Sequence, residues 1–409
     1  MTFSVIEKCR SCASGDLAPV LDLGNQPLAN AYRRPDDESV EARYPLALVR
    51  CRACSLVQLT GTVPPRIMFD TYPYFSSYSR TMVESMRLLA TKLKGTQSLD
   101  TDDLVVEIAS NDGYLLKHYI DLGVPVLGIE PAHNVAAVAE DQGVPTITEY
   151  FSLSLASELA QAGRKASVVH ANNVMAHVPD INDFAAGIAS ILRDDGVAIV
   201  ETPYLVRLIK DREFDTVYHE HVFYYSLTAM SSLVERHGLV VADVEQIPIH
   251  GGSLRLVIQH SGKPVSSRVQ QLRAVESQLG VGTDSFYADF AQRVDELKTE
   301  VTTLVKRLRI NGSSVAAYGA AAKGTVLLNH FDLDHELVDF VADRSVQKQG
   351  LLMPGVGIPI LAAEELASRC PDFTLLLAWN FADEIIDQQN AYHNAGGRFV
   401  VPMPQVSIR

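Results

Sequence analysis

The chain reads as an α/β protein in three parts: a small cysteine-knuckle module followed by two domains built on parallel sheets. Three observations predict this. Two C-x-x-C pairs, Cys9/Cys12 and Cys51/Cys54, stand near the N-terminus, and Cys370 is the one further cysteine in 409 residues. From Leu104 to Thr202, short apolar runs alternate with helical periods, the pattern of a parallel sheet with helical crossovers. The alternation restarts at Ser314, after a long amphipathic stretch and the stop signal Asn311-Gly312.

Each cysteine pair presents two thiolates about one turn apart, which suits two corners of a tetrahedron. The two pairs together predict a closed zinc site made by Cys9, Cys12, Cys51 and Cys54, with no open coordination position. Such a site holds a fold and does no chemistry. Residues 13–50 lie between the pairs, more than a zinc ribbon needs, so a small subdomain is expected there. A disulfide framework or a redox pair is the competing reading. Cys370, expected to be buried and inert, lends it no support. The module is placed at residues 1–78, ending in the aromatic loop Tyr72-Pro-Tyr74-Phe75-Ser-Ser-Tyr78.

Composition is ordinary for a globular protein, 47% hydrophobic and 21% charged, with a net charge of −14. That acidity argues against a nucleic-acid partner, which calls for clustered Lys and Arg. No run approaches the ~18 uninterrupted apolar residues of a membrane span, so no membrane partner is expected. The opening MTFSVIEKCRSC lacks the basic-then-apolar pattern of a signal peptide. With thiolates kept as zinc ligands, the expectation is a soluble cytoplasmic chain. It is expected to be a monomer, because no heptad seam or swapping arm is evident.

The second part is placed at residues 79–262. A helix is expected over 79–94, strands over 104–109, 125–130, 167–171 and 196–202, and a terminal hairpin over 239–247 and 254–259 through His250-Gly251-Gly252. The third part, 263–409, is expected to begin with one long helix over Phe286–Leu308. Its strands are expected over 314–319, 336–343, 373–379 and 398–402.

The turn EIASNDG, with Glu107, Ala109, Asn111 and Gly113, sits where ligands bind outside the carboxyl ends of parallel strands. It fits E-x-(G/A)-x-(G/N)-x-G and resembles motif I of class I S-adenosylmethionine methyltransferases. A single glycine argues against the pyrophosphate of a dinucleotide, which G-x-G-x-x-G accommodates. Glu130 ends the next strand, in the position from which a carboxylate accepts hydrogen bonds from both ribose hydroxyls. Asn172 and Asn173 follow the fourth strand, where the methionine or adenosine part of such a donor passes.

Taken in order, the Cys₄ module, EIASNDGYLL, ANNVMAHVPD (171–180), VYHEHVFYYS (217–226), HGGSLR (250–255) and AYGAAAKG (317–324) span nearly the whole chain. This set resembles the nucleotide-sugar C-methyltransferases of deoxysugar and antibiotic biosynthesis. The likeness is nearest to those acting at C-3 of dTDP-4-keto-deoxyhexoses. It implies a zinc-binding module, a class I S-adenosylmethionine-dependent methyltransferase domain and a C-terminal Rossmann-like domain, with the sugar nucleotide between the last two.

Carbon methylation at that position needs a base for the C-3 proton, a partner for the developing enolate and in-line placement of the methyl group. The resemblance makes His221 the base and sets Tyr218 beside the reacting centre. Glu220 would orient His221 or hold a sugar substituent, and His219 is expected to be structural. His177, after the fourth strand, lies on the ligand edge, and Tyr72 could close over the sugar. In the third part, Gly319, Lys323 and Gly324 form a small-residue turn that opens a helix, a natural diphosphate cradle. Lys323 adds a point charge, and Asp343 could face ribose or base. The competing functions are methylation at C-5, an N- or O-methyltransferase, an NAD-dependent dehydrogenase or epimerase, and a zinc scaffold whose YHEH loop is merely structural.

Overall fold

The computed structural model describes residues 3–64, 67–68, 75–78 and 80–409, so Tyr72 lies outside the described residues. In the module, β1 (Ser4–Val5) pairs with β5 (Gly61–Thr62), and β2 (Leu17–Pro27), β3 (Arg43–Cys51) and β4 (Val57–Leu59) form an antiparallel sheet. The stretch between the two cysteine pairs is therefore a long hairpin. β2 leaves the first knuckle and β3 runs back into the second. Leu21 and Leu23 on β2 and Leu46 and Leu48 on β3 are buried at alternate positions, the period-two pattern of a half-buried sheet.

The second part holds β6 (Val105–Ile108), β7 (Val126–Ile129), β8 (Thr146–Ile147), β9 (Ala166–Asn172) and β10 (Leu192–Pro203). β11 (Phe223–Tyr224) departs from it, and β12 (Leu239–Ile247) and β13 (Ser253–His260) complete it. The sheet order is β12-β13-β10-β9-β6-β7-β8. All pairs from β10 to β8 are parallel, while β13 runs antiparallel to both its neighbours. β6 and β7 are buried at every position because helices cover both faces. The turns after β6 and β9 flank one crevice at the carboxyl edge. β11 leaves this sheet and pairs antiparallel with β4, so the second domain adds the last strand to the zinc module's sheet.

The third part begins with a helix over Ser267–Leu279 that was not expected, and the long helix starts at Phe290 instead of Phe286. A 3₁₀ turn at Asp284–Phe286 precedes the helix Phe290–Ile310. The break lets Tyr287 tuck under the Arg50 guanidinium, 5.5 Å from its ring, and donate its hydroxyl to Val281 O at 3.0 Å. The second sheet contains β14 (Val315–Tyr318), β15 (Val341–Asp343), β16 (Ile360–Ala362), β17 (Phe373–Leu376), β18 (Arg398–Val401) and β19 (Ser407–Ile408). Its order is β16-β15-β14-β17-β18-β19, parallel except for β19. β15 is shorter than the expected 336–343, and β17 stops before Trp379, which opens a 3₁₀ turn.

Cys370 is exposed, against the expectation of burial. It closes the helix Glu365–Arg369 in a left-handed conformation at φ 44°, a surface position. One continuous core joins Leu48 of the module, Phe214 of the second domain, Leu297 of the long helix and Leu327 of the third domain. Among the described residues, no helix is long and apolar enough to cross a membrane.

Candidate functional site

At the carboxyl end of β6 the chain takes three left-handed residues at alternate positions: Ala109 (φ 56°), Asn111 (φ 50°) and Gly113 (φ 77°). Gly113 also packs closely, since a Cβ there would stand 2.9 Å from Val144 Cγ2. Both constraints favour glycine. Glu130, just after β7, fixes this turn by accepting Asn111 N–H at Oε2 and Ala132 N–H at Oε1, each at 2.9 Å. From above, Ser76 N–H donates to Asn111 Oδ1 (2.9 Å) and Ser77 N–H to Asp112 Oδ2 (3.2 Å). The segment that ends the zinc module thus lies against the turn.

The crevice is rich in acceptors. Glu107 Oε2, Asp112 Oδ1, Asn172 Oδ1 and Asn173 Oδ1 are buried with no hydrogen-bond partner in the protein. Burial, then the neighbouring Glu130, Asp112 and Glu201, raise the Glu107 carboxyl well above its ordinary range. Glu201 has its own cation, Arg255 Nε at 2.5 Å. This set suits a ligand that brings donors and positive charge, and it opposes a pyrophosphate.

A second cluster stands beside the crevice. His221 Nδ1 lies 3.0 Å from Thr216 O, so Nδ1 must carry the proton and donate it to that carbonyl. Nε2 is then an acceptor, and Tyr218 Oη, 2.7 Å away, donates to it. His177 meets His221 edge to face, with ring centroids 4.8 Å apart. The two loops are joined by Val222 N–H donating to Ala176 O at 2.6 Å. Burial lowers the His177 pKa to about 4, which keeps its ring neutral near pH 7.

The loop turns, with His221 N–H donating to Tyr218 O at 2.9 Å, so His219 and His221 face apart. His219 turns to the zinc module, with Nε2 3.3 Å from Tyr44 O and its ring edge-on to Tyr44. Glu220 is buried, accepts Asn30 Nδ2–H at 2.6 Å, and has its pKa pushed up to about 7 by burial. Asn30 was not singled out from the sequence, and neither were Tyr32 and Lys348. Both of the latter donate to Ala320 O, at 2.6 and 2.7 Å.

His219 gives a pH prediction. Burial depresses its pKa to about 4, so below the unfolded value the unfolded chain binds the extra proton. Its penalty is absent above roughly pH 6.5 and grows as the pH falls toward 4, reaching about 3 kcal/mol. His219→Gln is expected to flatten this limb in thermal melts taken across that range. Parallel curves for the variant and the wild type would rule it out.

In the third domain, Gly319 and Gly324 pack against the residues just after β17. A Cβ at Gly319 would lie 3.0 Å from Ala378 Cβ, and one at Gly324 2.9 Å from Leu377 Cβ. Asp343 accepts Ala320 N–H (2.6 Å) and Ser345 N–H (2.7 Å), which shapes the turn. The helix Ala322–His330 opens without a side-chain cap. Lys323 Nζ is buried without a hydrogen-bond partner, 4.7 Å from the centre of the Trp379 ring.

The four cysteines come together with all their sulfurs within 4.8 Å of one another. The two knuckles share one turn. Ala13 N–H donates to Cys9 O and Ser55 N–H to Cys51 O, each at 2.9 Å, with Ala13 and Ser55 both left-handed. Gln58 Nε2 donates to Cys9 Sγ at 3.2 Å. No disulfide forms among them.

Known families match along the chain: a putative zinc binding domain over residues 9–69, a methyltransferase domain over 78–244, and a C-methyltransferase C-terminal domain over 248–404. The C-methyltransferase NovU of Streptomyces niveus is 38% identical over 409 residues, covering 98% of this chain and 97% of that protein. The chain belongs to the C-methyltransferase family. A ubiquinone biosynthesis O-methyltransferase of Bartonella quintana is 28% identical over 99 residues, 24% of this chain and 40% of that protein. Among solved structures, magnesium protoporphyrin IX methyltransferase from Synechocystis PCC 6803 with bound SAH is 15% identical. It covers 44% of this chain and 83% of its own, with a TM-score of 0.36, too low to bear on the assignment.

This C-methyltransferase has the class I methyltransferase fold, with S-adenosylmethionine and zinc as its cofactors. Both fit the residues present. The sulfur cluster offers four thiolates and no open position, the arrangement of a structural zinc. The crevice beyond β6 and β9 offers acceptors to a cationic donor.

Proposed function

We propose that this protein transfers a methyl group from S-adenosylmethionine to C-3 of a dTDP-linked 4-keto-deoxyhexose, with His221 removing the C-3 proton. The observation that carries the reading is the dyad: Thr216 O holds Nδ1–H, which leaves the Nε2 lone pair facing Tyr218 Oη at 2.7 Å. S-adenosylmethionine supplies the electrophilic methyl group. The C-3 proton passes to Nε2, either directly or through the Tyr218 hydroxyl, and the electron pair delocalises onto the C-4 oxygen. Glu220, near neutrality at its raised pKa, bonds a sugar substituent, and His177 lies against the base. The family and the NovU likeness support carbon as the acceptor. The dTDP-sugar rests on the motif order and on a second α/β domain across the cleft.

Within this reading, the donor's ribose lies on Glu130 and its methionine part passes Glu107, Ala109, Asn111, Gly113, Asn172 and Asn173. The diphosphate lies at the uncapped start of helix Ala322–His330, with Lys323 as the nearby cation and Gly319, Gly324 and Asp343 shaping the turn. Glu130→Ala is expected to weaken S-adenosylmethionine binding by about 1.5–3 kcal/mol, the scale of hydrogen bonds to a charged group. Calorimetry giving an unchanged affinity would remove Glu130 from the donor site. The test of the whole reading is mass spectrometry of products from a panel of 4-keto sugar nucleotides, with NMR to locate the new methyl group. Methyl transfer to nitrogen or oxygen, or no product from any keto sugar, would overturn it.

A further inference from the structure

The carbonyl that fixes His221 belongs to a 3₁₀ turn, Phe214–Thr216, and two of that turn's three side chains are gripped by the third domain. Phe214 is fully buried, stacked on Phe331 at 5.0 Å and tilted against His330 at 5.3 Å. Asp215 is equally buried and accepts the Trp379 indole N–H at Oδ2, 2.7 Å away. Thr216 Oγ1 closes the turn on Glu213 O at 2.7 Å. A buried carboxylate is costly unless it is bonded and charge-balanced. The indole supplies the bond and Lys323 the nearby charge, although burial still leaves the Asp215 pKa raised to about 6. Proton abstraction asks nothing of Asp215 or Trp379, so their pairing across 164 residues of sequence calls for another role.

We propose that Asp215 and Trp379 are positioning residues that hold the Thr216 carbonyl against Nδ1–H of His221, locking the imidazole in the tautomer whose Nε2 accepts a proton. The third domain thereby sets the base of the second. The proposal rests on the reading of His221 as base, but the lock can be observed without any reaction. If the anchor is lost, the turn relaxes, Nδ1 loses its acceptor and the ring gains the Nε2–H tautomer, which cannot take the substrate proton.

The experiment is imidazole nitrogen NMR on histidine-labelled full-length protein, with His221 assigned by its disappearance in His221→Asn, together with steady-state kinetics. Wild type is expected to show the Nδ1–H form. Trp379→Phe keeps an aromatic wedge but removes the donor. It is expected to show mixed tautomers and a turnover lowered by roughly 10- to 100-fold, the scale of a small misplacement of a reacting group. Michaelis constants should hold within about twofold, since Phe keeps an aromatic ring beside Lys323. Asp215→Asn keeps an acceptor for the indole and should restore most of the wild-type tautomer and turnover. Calorimetry with S-adenosylhomocysteine confirms that each variant is folded. An unchanged His221 signal in folded Trp379→Phe overturns the proposal. So does a raised Michaelis constant for the sugar nucleotide at unchanged turnover, which would assign the pair to ligand binding. A mixed tautomer with unchanged turnover supports the lock and overturns His221 as the base.

Discussion

His221→Asn is expected to leave both ligands bound while lowering turnover by about 10²–10⁴-fold, the usual worth of a general base. The C-3 hydrogen of a 4-keto sugar is a weak acid and does not leave near neutral pH without a base in reach. Imidazole, with an ordinary pKa near ~6.5, matches that task. The geometry makes the assignment specific, because the Thr216 carbonyl leaves only Nε2 to act. Asn can keep an amide N–H on that carbonyl, so the loop has reason to stay in place while the acceptor is lost. Proton exchange isolates the step. With S-adenosylhomocysteine in place of the donor, wild type is expected to exchange the C-3 proton in deuterated water, and His221→Asn is not. If the variant methylates at close to the wild-type rate, His221 is not the base. His177, whose ring lies 4.8 Å from that of His221, becomes the next residue to test.

How far the sequence announced this site depends on how local each signal is. The zinc ligands were legible because C-x-x-C spacing is itself the ligand geometry, and both knuckles fold as the same turn. The EIASNDG turn was legible from Gly113 and from its place after a strand. The left-handed Ala109 and Asn111 were not, since neither residue type demands φ > 0. The YHEH loop named its side chains, but their directions were hidden: His219 faces away from His221 because the loop folds as a turn, where an extended chain would set residues two apart on one side. Their partners were hidden. Thr216 acts through a backbone carbonyl, which carries no sequence signature. Asn30 bonds Glu220, Trp379 bonds Asp215 in the turn before the loop, and the Lys348 charge acts on Glu220; all three are distant in the chain and reach this region only through tertiary packing. Lys323 illustrates the limit: residue type suggested a phosphate ligand, while only the fold places Trp379 and Asp215 beside it. Cys370 failed for the opposite reason, since cysteine's tendency toward burial yielded to a helix end at the surface.

Replacing any one of Cys9, Cys12, Cys51 or Cys54 with Ser is expected to cost the protein its fold rather than its chemistry alone. A structural zinc contributes about 10–16 kcal/mol in isolated peptides, as much as the ~5–15 kcal/mol that holds a whole domain together. The module has more to lose than its own hairpin. Its sheet is completed by β11, which directly follows the YHEH loop, so a loosened knuckle frees one end of the loop that carries His221. Its fully buried Arg50 bonds Gly282 O (2.9 Å) and pairs with Asp284, which joins it to the segment between the two α/β domains. The residues after β2 strap onto the third domain: Thr325 donates to Ala29 O at 2.8 Å, Tyr32 to Ala320 O at 2.6 Å, and Arg43 to Gly355 O at 3.2 Å. Loss of the metal therefore releases contacts to both domains at once. Metal analysis of wild type is expected to give one zinc per chain, and Cys12→Ser is expected to lose it and melt many degrees lower or come out insoluble. The comparison that decides is between stability and turnover. A metal-free variant that melts with the wild type but turns over slowly would mean that the cluster serves the reaction, and a metal-free variant unaltered in both would mean that the four cysteines hold nothing.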